Sequence, residues 1–218
     1  MVKTVVLSDF DGTIALDDVL DEVFARYADP QYHQIVAQWD RREIDTPEAL
    51  ERCFSLLRAT PAELNRYFDS VPIEPAFPAF LRLCRERGYD FHILSDGLTW
   101  YIERILNRYD LGSIPIFANI VSFNGSEAHF SYPWRNRDCK PCGGVCGTCK
   151  RDIVLSFKRK GAQVIYIGDG LSDRYSAMEA DMVFAKRRLR EHLLATGQPF
   201  VPFCDFDDII GFLRGRGL

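Results

Sequence analysis

Asp9 and Asp11 stand two residues apart at the end of an apolar run, VVLSDFDGT at 5–13. In extended chain, residues i and i+2 share a face roughly 6.6 Å apart. Two ionised carboxylates at that separation repel by about 2–3 kcal/mol at an effective dielectric near 20, so a cation is expected beside them. A second acidic pair, Asp169 and Asp173 in GDGLSD, follows the apolar run QVIYI. Converging carboxylates with no His or Cys among them form a hard oxygen site that suits Mg²⁺ better than zinc.

Two further segments complete a phosphate-sized constellation. ILSDG at 93–97 places Ser95, Asp96 and Gly97 at the end of another apolar run, and CKRDIV places Lys150 at the start of a helical pattern. The Ser95 hydroxyl, the Lys150 ammonium and backbone N–H groups around Gly12 and Thr13 would cradle a phosphoryl group. One aspartate could then attack phosphorus and become an aspartyl-phosphate. The other could protonate the leaving oxygen and afterwards activate water.

These groups need elements that bring them together. Residues 3–9, 89–96, 114–123, 163–169 and 181–186 are short, apolar and rich in β-branched and aromatic residues, so they read as strands. Helical spacing lies between most of them, as in Phe77, Phe80, Leu81 and Cys84, or Ile102, Ile105, Leu106 and Tyr109. Strand, helix, strand implies parallel pairing, and the expected fold is an α/β doubly wound parallel sheet. In such a sheet both acidic pairs lie at the carboxyl ends of strands, where they can meet.

Two segments depart from the alternation. Residues 15–75 carry only helical patterns, with Thr46 and Thr60 as expected N-caps before Pro47 and Pro61. They read as a small helical insertion between a core of 1–14 and 76–218. Residues 120–133 read as a hairpin around Asn124-Gly125.

Of the 218 residues 47% are hydrophobic and 27% charged, and 27 Lys and Arg face 31 Asp and Glu for a net charge of −4. That balance points to neither nucleic acid nor anionic membrane as a partner. The basic run KRRLR at 186–190 reads as a solvated helix face. No apolar stretch approaches the ~18 residues of a membrane span and no secretion signal is visible, so a cytoplasmic location is expected.

The loop CKPCGGVCGTC at 139–149 holds Cys139, Cys142, Cys146 and Cys149 as two C-x₂-C pairs. Zinc, disulfides and free thiols are all open for them, with a tetrahedral Zn²⁺ site favoured in a reducing compartment. Because the loop abuts Lys150, it is expected to shape the rim of the site. Cys53, Cys84 and Cys204 read as core filler.

In this order, DFDGT, the Ser of ILSDG, a lone Lys and GDGLSD resemble the four motifs of the haloacid dehalogenase-like phosphatases. The resemblance spans most of the chain. It implies Asp9 as nucleophile, Asp11 as general acid/base and Ser95 and Lys150 as phosphate-binding groups. It also implies Asp169 as a metal carboxylate, the Asp11 carbonyl as a further ligand, and Asp173 as a ligand through water or an orienting group. A helical insertion between the first two motifs is similar to the C1-capped branch, which includes phosphoserine phosphatases. Within that branch DFDGTIALDD, the hairpin ending in YPW and the Cys-rich loop resemble the methionine-salvage phosphatases of 2-hydroxy-3-keto-5-methylthiopentenyl-1-phosphate. Both groups usually carry Gly where this chain has Asp96, and phosphoserine phosphatases tend to carry Glu at the position of Asp18.

The implied partner is a small phosphorylated metabolite. Phosphoryl transfer to another alcohol, a non-catalytic protein and a zinc or thiol module stand as alternatives. Asp18 and His129 are candidate substrate contacts. The other histidines, and Trp100 and Tyr101, read as packing or surface.

Overall fold

Along β1 (Thr4–Ser8) side chains alternate between two buried faces, Val6 joining one apolar cluster and Val5 and Leu7 another. A strand buried on both faces needs helices above and below it, and the connections supply them. The computed structural model describes residues 2–125 and 127–215. After β1 come α1 (Val19–Tyr27), α2 (Tyr32–Asp40), α3 (Thr46–Ser55), α4 (Pro61–Phe68) and α5 (Phe77–Glu86), then β2 (Asp90–Leu98) and α6 (Thr99–Asn107). A hairpin of β3 (Ile116–Asn124) and β4 (Glu127–Ser131) leads through a loop to α7 (Lys150–Arg159) and β5 (Gln163–Gly168). A 3₁₀ turn (Leu171–Asp173) then precedes α8 (Arg174–Ala177), β6 (Met182–Ala185), α9 (Arg187–Thr196), β7 (Val201–Pro202) and α10 (Phe206–Gly215).

The strands form one sheet in the order β4-β3-β2-β1-β5-β6-β7, parallel except for the β3–β4 hairpin. From β1 the chain builds outward through β2 to β4, then returns to β1's other side for β5 to β7. The order therefore reverses between β1 and β5, and the crevice at their carboxyl ends is where such sheets bind ligands.

The helical run expected between 15 and 75 is present as α1–α4. It leaves and returns at one point, where Ala15 bridges Ile73 and Glu74 N–H donates to Ile14 O at 2.8 Å. Thr60 caps α4 in a reciprocal capping box with Glu63. At α3 the cap is Asp45 rather than Thr46: the Asp45 carboxylate accepts from Glu48 N–H at 2.9 Å, while Thr46 Oγ1 accepts from Trp39 Nε1. The hairpin turn falls one position later than expected, because Asn124 is still paired, with Glu127. The short β7 and the helix α10 were not marked by the sequence patterns.

On one face α10 packs Phe206 against Phe77 and Phe80 of α5, with ring centroids 5.1 and 5.0 Å apart. Cys53 and Cys84 are buried as expected, but Cys204 is exposed, lying in the turn where its N–H donates to Asp208. Phe206 is fully buried. Its replacement by Ala is expected to cost about 3–5 kcal/mol of unfolding free energy in urea titration.

Candidate active site

The carboxyl ends of β1, β2 and β5 carry the residues singled out by their spacing. Strand β1 stops at Ser8, so Asp9 and Asp11 sit just beyond it as the chain turns, with the fully buried Phe10 between them. Asp9 is anchored by its N–H on Ile167 O at 2.9 Å, and its Oδ1 accepts from Phe10 N–H at 2.7 Å. Both acids border one cavity of about 250 Å³ that also takes in Gly12, Ser95, Asp96, Gly97, Lys150 and Asp169.

Lys150, the first residue of α7, reaches Asp9 Oδ2 and Asp173 Oδ1, each at 2.7 Å, with all three side chains at least nine-tenths buried. Burial works against the ammonium, but the charges of Asp173 and Asp9 outweigh it and hold its pKa well above the ordinary value. Burial and the Asp173 charge push Asp9 well above the usual carboxylate range, and Lys150 opposes them. Asp173 is fully occupied. It accepts from Lys150 and the Tyr166 hydroxyl through Oδ1, and from the N–H groups of Asp169 and Gly170, both at 3.1 Å, through Oδ2. Of the two roles expected for it, these bonds favour orienting the loop and the lysine.

Asp9, Asp169 and Asp173 can bring one oxygen each within 4.8 Å of one another. Around the cavity five carboxyl groups (Asp9, Asp11, Asp18, Asp21 and Asp169) face two cations, Lys150 and Arg187, among the described residues, the Asp96 carboxylate being bonded to Thr148 instead. That surplus of hard, anionic oxygen fits a divalent ion such as Mg²⁺. Asp169 is held by Thr13 Oγ1 at 3.0 Å, and burial, then the Asp173 charge, raise its pKa. Gly12 has φ +68°, and a Cβ there would run into the Asp169 carboxylate, so the loop after β1 meets the loop after β5 at a position that favours glycine.

The Asp11 side chain lies outside the Asp9–Asp169–Asp173 group. Its Oδ1 accepts from Val19 N–H at 3.1 Å; its Oδ2 accepts from the Tyr101 hydroxyl at 2.6 Å and the Ser95 hydroxyl at 3.3 Å. Burial, then the Asp18 charge, raise its pKa to about 7. Tyr101, expected only to pack, is thus a direct partner of this acid. Spacing gave no signal for it, because the contact joins α6 to the loop after β1. Gly97 makes room for it, since a Cβ there would meet the Tyr101 hydroxyl.

Strand β2 changes register against β3 between Leu94 and Leu98, across the segment holding Ser95, Asp96 and Gly97. Such irregularities re-aim side chains beside functional sites. Gly97 N–H donates to Ser95 Oγ at 2.9 Å. The Asp96 carboxylate is turned to the Cys-rich loop, accepting from Thr148 N–H at 2.7 Å, while Asn119 Nδ2 donates to the Asp96 carbonyl at 2.7 Å.

The basic run is not the uniformly solvated face expected of it. Lys186 is buried with its ammonium over the Phe203 ring, and Arg187 lines the cavity. Arg187 has φ +46°, rare for a side chain of its size. It is held there by Asp169 at 3.5 Å and by donation to Leu16 O at 2.8 Å. Asp18 N-caps α1 and borders the cavity, with its pKa raised to about 6 by burial and then by Asp21. His129 is exposed on β4 beside Glu127 and does not line the cavity.

The sequence matches the family model described as Putative Phosphatase over residues 4–199. The chain belongs to this family. Among its relatives, the 2-hydroxy-3-keto-5-methylthiopentenyl-1-phosphate phosphatase of Brevibacillus brevis is 29% identical, covering 97% of this chain and 96% of its own. That of an Exiguobacterium species is 30% identical, covering 98% and 99%. A solved phosphoserine phosphatase, captured as a phospho-aspartyl intermediate analogue, superposes with a TM-score of 0.70 at 18% identity, over 97% of this chain and 99% of that one. A substrate-bound phosphoserine phosphatase gives 0.69, also at 18% identity, over 96% and 98%. The fold of this family member is thus that of the haloacid dehalogenase-like phosphatases. No helix among the described residues is long and apolar enough to cross a membrane.

Replacing Lys150 with Met leaves Asp9 and Asp173 buried without their cation, and a loss of about 3–5 kcal/mol in urea denaturation is expected. Tyr101→Phe removes one hydrogen bond to Asp11. A fall of roughly ten- to a hundredfold in kcat for p-nitrophenyl phosphate is expected, with KM nearly unchanged.

Proposed function

We propose that this chain hydrolyses a small, apolar-tailed phosphate monoester through an aspartyl-phosphate on Asp9, and that its substrate is 2-hydroxy-3-keto-5-methylthiopentenyl-1-phosphate or a close analogue. The observation that carries the substrate reading is the two-sided lining of the cavity. Its floor is the charged cluster at the strand ends. Its roof is supplied by α1–α3, where the apolar Leu20, Phe24, Val36, Ala49, Leu50 and Cys53 outnumber the two acids at the start of α1, Asp18 and Asp21. We take α1–α4 as a cap over the core of 1–14 and 76–218. An apolar roof suits a methylthio tail, whereas the ammonium and carboxylate of phosphoserine would be desolvated against it. The names of the full-length relatives point the same way.

In this mechanism an Asp9 oxygen bonds to phosphorus as the bond to the leaving oxygen breaks, and Asp11 gives that oxygen its proton. Asp11 then takes a proton from water, whose oxygen attacks phosphorus and releases inorganic phosphate and free Asp9. Tyr101 and the Val19 N–H fix the Asp11 carboxyl for both steps. Lys150 neutralises Asp9 and, with the Ser95 hydroxyl turned from Asp11, holds the phosphoryl oxygens; the Gly12, Thr13 and Gly97 N–H groups expected to share them donate instead to Asp17 O, Phe10 O and Ser95 Oγ. Asp9, Asp169 and the Asp11 carbonyl would hold Mg²⁺, with Asp173 setting their loop; the ion would draw charge from the transferring phosphoryl group. Location in the cytoplasm accords with such a metabolite.

Turnover of the methylthio enol phosphate is expected to exceed that of O-phosphoserine by about a hundredfold or more in kcat/KM, and to vanish with EDTA or in Asp9→Asn. Equal rates on the two esters would refute the substrate assignment. Retained turnover in Asp9→Asn would refute the mechanism.

A further inference from the structure

The segment from Pro133 to Cys149 contains no helix or strand, and its buried apolar groups form a separate small cluster. That cluster consists of Cys139, Cys142 and Cys149, with Cys146 and Tyr175 packed against it. The sulfurs of Cys139, Cys142 and Cys149 lie within 4.8 Å of one another, and all seven cysteines of the chain are unbonded. A connection of this length without regular structure needs an internal fastening. Here the thiols stand where such a fastening would be, and apolar side chains do not.

We infer that Cys139, Cys142, Cys146 and Cys149 hold one Zn²⁺ as a closed tetrahedral thiolate site. Zinc–sulfur bonds of about 2.3 Å place the ligands near 3.8 Å apart in a tetrahedron, so the three converged sulfurs need only a small contraction. Cys146, half-buried and packed against them with its sulfur outside the 4.8 Å group, would move in to supply the fourth. Gly143 and Gly144, at φ +71° and +70°, make the reversal between the two pairs. A Cβ on Gly144 would strike the Arg137 carbonyl, so this reversal is tightly packed. Arg151 lies close enough to donate to the Cys139 sulfur, as outer partners of zinc thiolates do.

The site would be structural, and its placement gives it a specific task. Cys149 N-caps α7 immediately before Lys150. Thr148 binds Asp96 through its N–H and Asn119 through its hydroxyl, the latter at 3.1 Å. On the opposite side Val145 O accepts from Thr46 N–H at 2.8 Å, and Arg135 pairs with Asp45 at 2.7 Å, both contacts reaching α3 and its cap. One ion would thus fix the lysine of the floor, the β2 bulge and the edge of the roof together. Binding of zinc does not depend on the proposed substrate or reaction.

The test is elemental analysis of the full chain, purified with reductant from zinc-supplemented cells and washed with EDTA, together with Co²⁺ titration of protein stripped by a mercurial. About one zinc per chain is expected, retained in Asp169→Asn and Cys204→Ser and lost in Cys142→Ser. Bound Co²⁺ should show thiolate charge-transfer absorption and intense tetrahedral ligand-field bands. If Cys142→Ser fails to fold, the Co²⁺ spectrum of the unsubstituted chain decides. Iron in place of zinc, zinc lost in Asp169→Asn but kept in Cys142→Ser, disulfides found by alkylation under non-reducing conditions, or four alkylatable thiols with no bound metal would each overturn the site.

Discussion

A single buried ammonium organises the floor of this molecule. Lys150 sits between Asp9 and Asp173 with all three side chains at least nine-tenths buried, and a charge so placed is tolerated because both neighbours pair with it. Asp173 spends its remaining capacity on Tyr166 and on the backbone that presents Asp169. One lysine therefore ties the end of β1 to the loop after β5, across the point where strand order reverses. The remaining excess of carboxylate around the cavity is the feature that would suit it to a divalent ion.

The second acid is governed by different neighbours. Asp11 is bound by the N–H of Val19 at the start of α1 and by Tyr101 of α6. Its position thus depends on how the helical excursion leaves the sheet. A carboxyl tied to the start of the roof registers how that roof is placed. Arg187 makes a similar connection from the other side, bonding Leu16 on the way into the excursion while facing Asp169. Its left-handed backbone conformation is sustained by those two contacts.

Asp96 shows how a departure from a motif can be resolved by its surroundings. It stands beside Ser95 where the resembled phosphatases usually carry Gly, a place from which its charge could face the cavity. Its carboxylate instead points to Thr148, and its carbonyl to Asn119. The Cys-rich loop is thereby joined to the bulge in β2, which in turn aims Ser95 at Asp11. Farther out, α1–α3 line the cavity with mainly apolar side chains.

Strand and helix periodicity, the two acidic pairs, Ser95 and Lys150 were readable in the chain because each is a local pattern: an alternation, a spacing, or a polar residue ending an apolar run. The same holds for the helical run after β1 and for the hairpin, whose turn was displaced by one residue. Tyr101, the Arg187 contacts and the outward turn of Asp96 were not readable, and Lys186 and Cys204 depart from the solvated and buried places expected of them, although Arg187, Arg188 and Arg190 are exposed as expected. Each depends on a partner many positions away, and no spacing rule encodes which side of a helix meets which loop. The amino-acid sequence alone determined the class of fold and the kind of chemistry, since those follow from residue type and short-range geometry. Only the tertiary structure decided which groups touch Asp9 and Asp11 and how the roof is lined, because burial and pairing at those positions arise when distant elements pack.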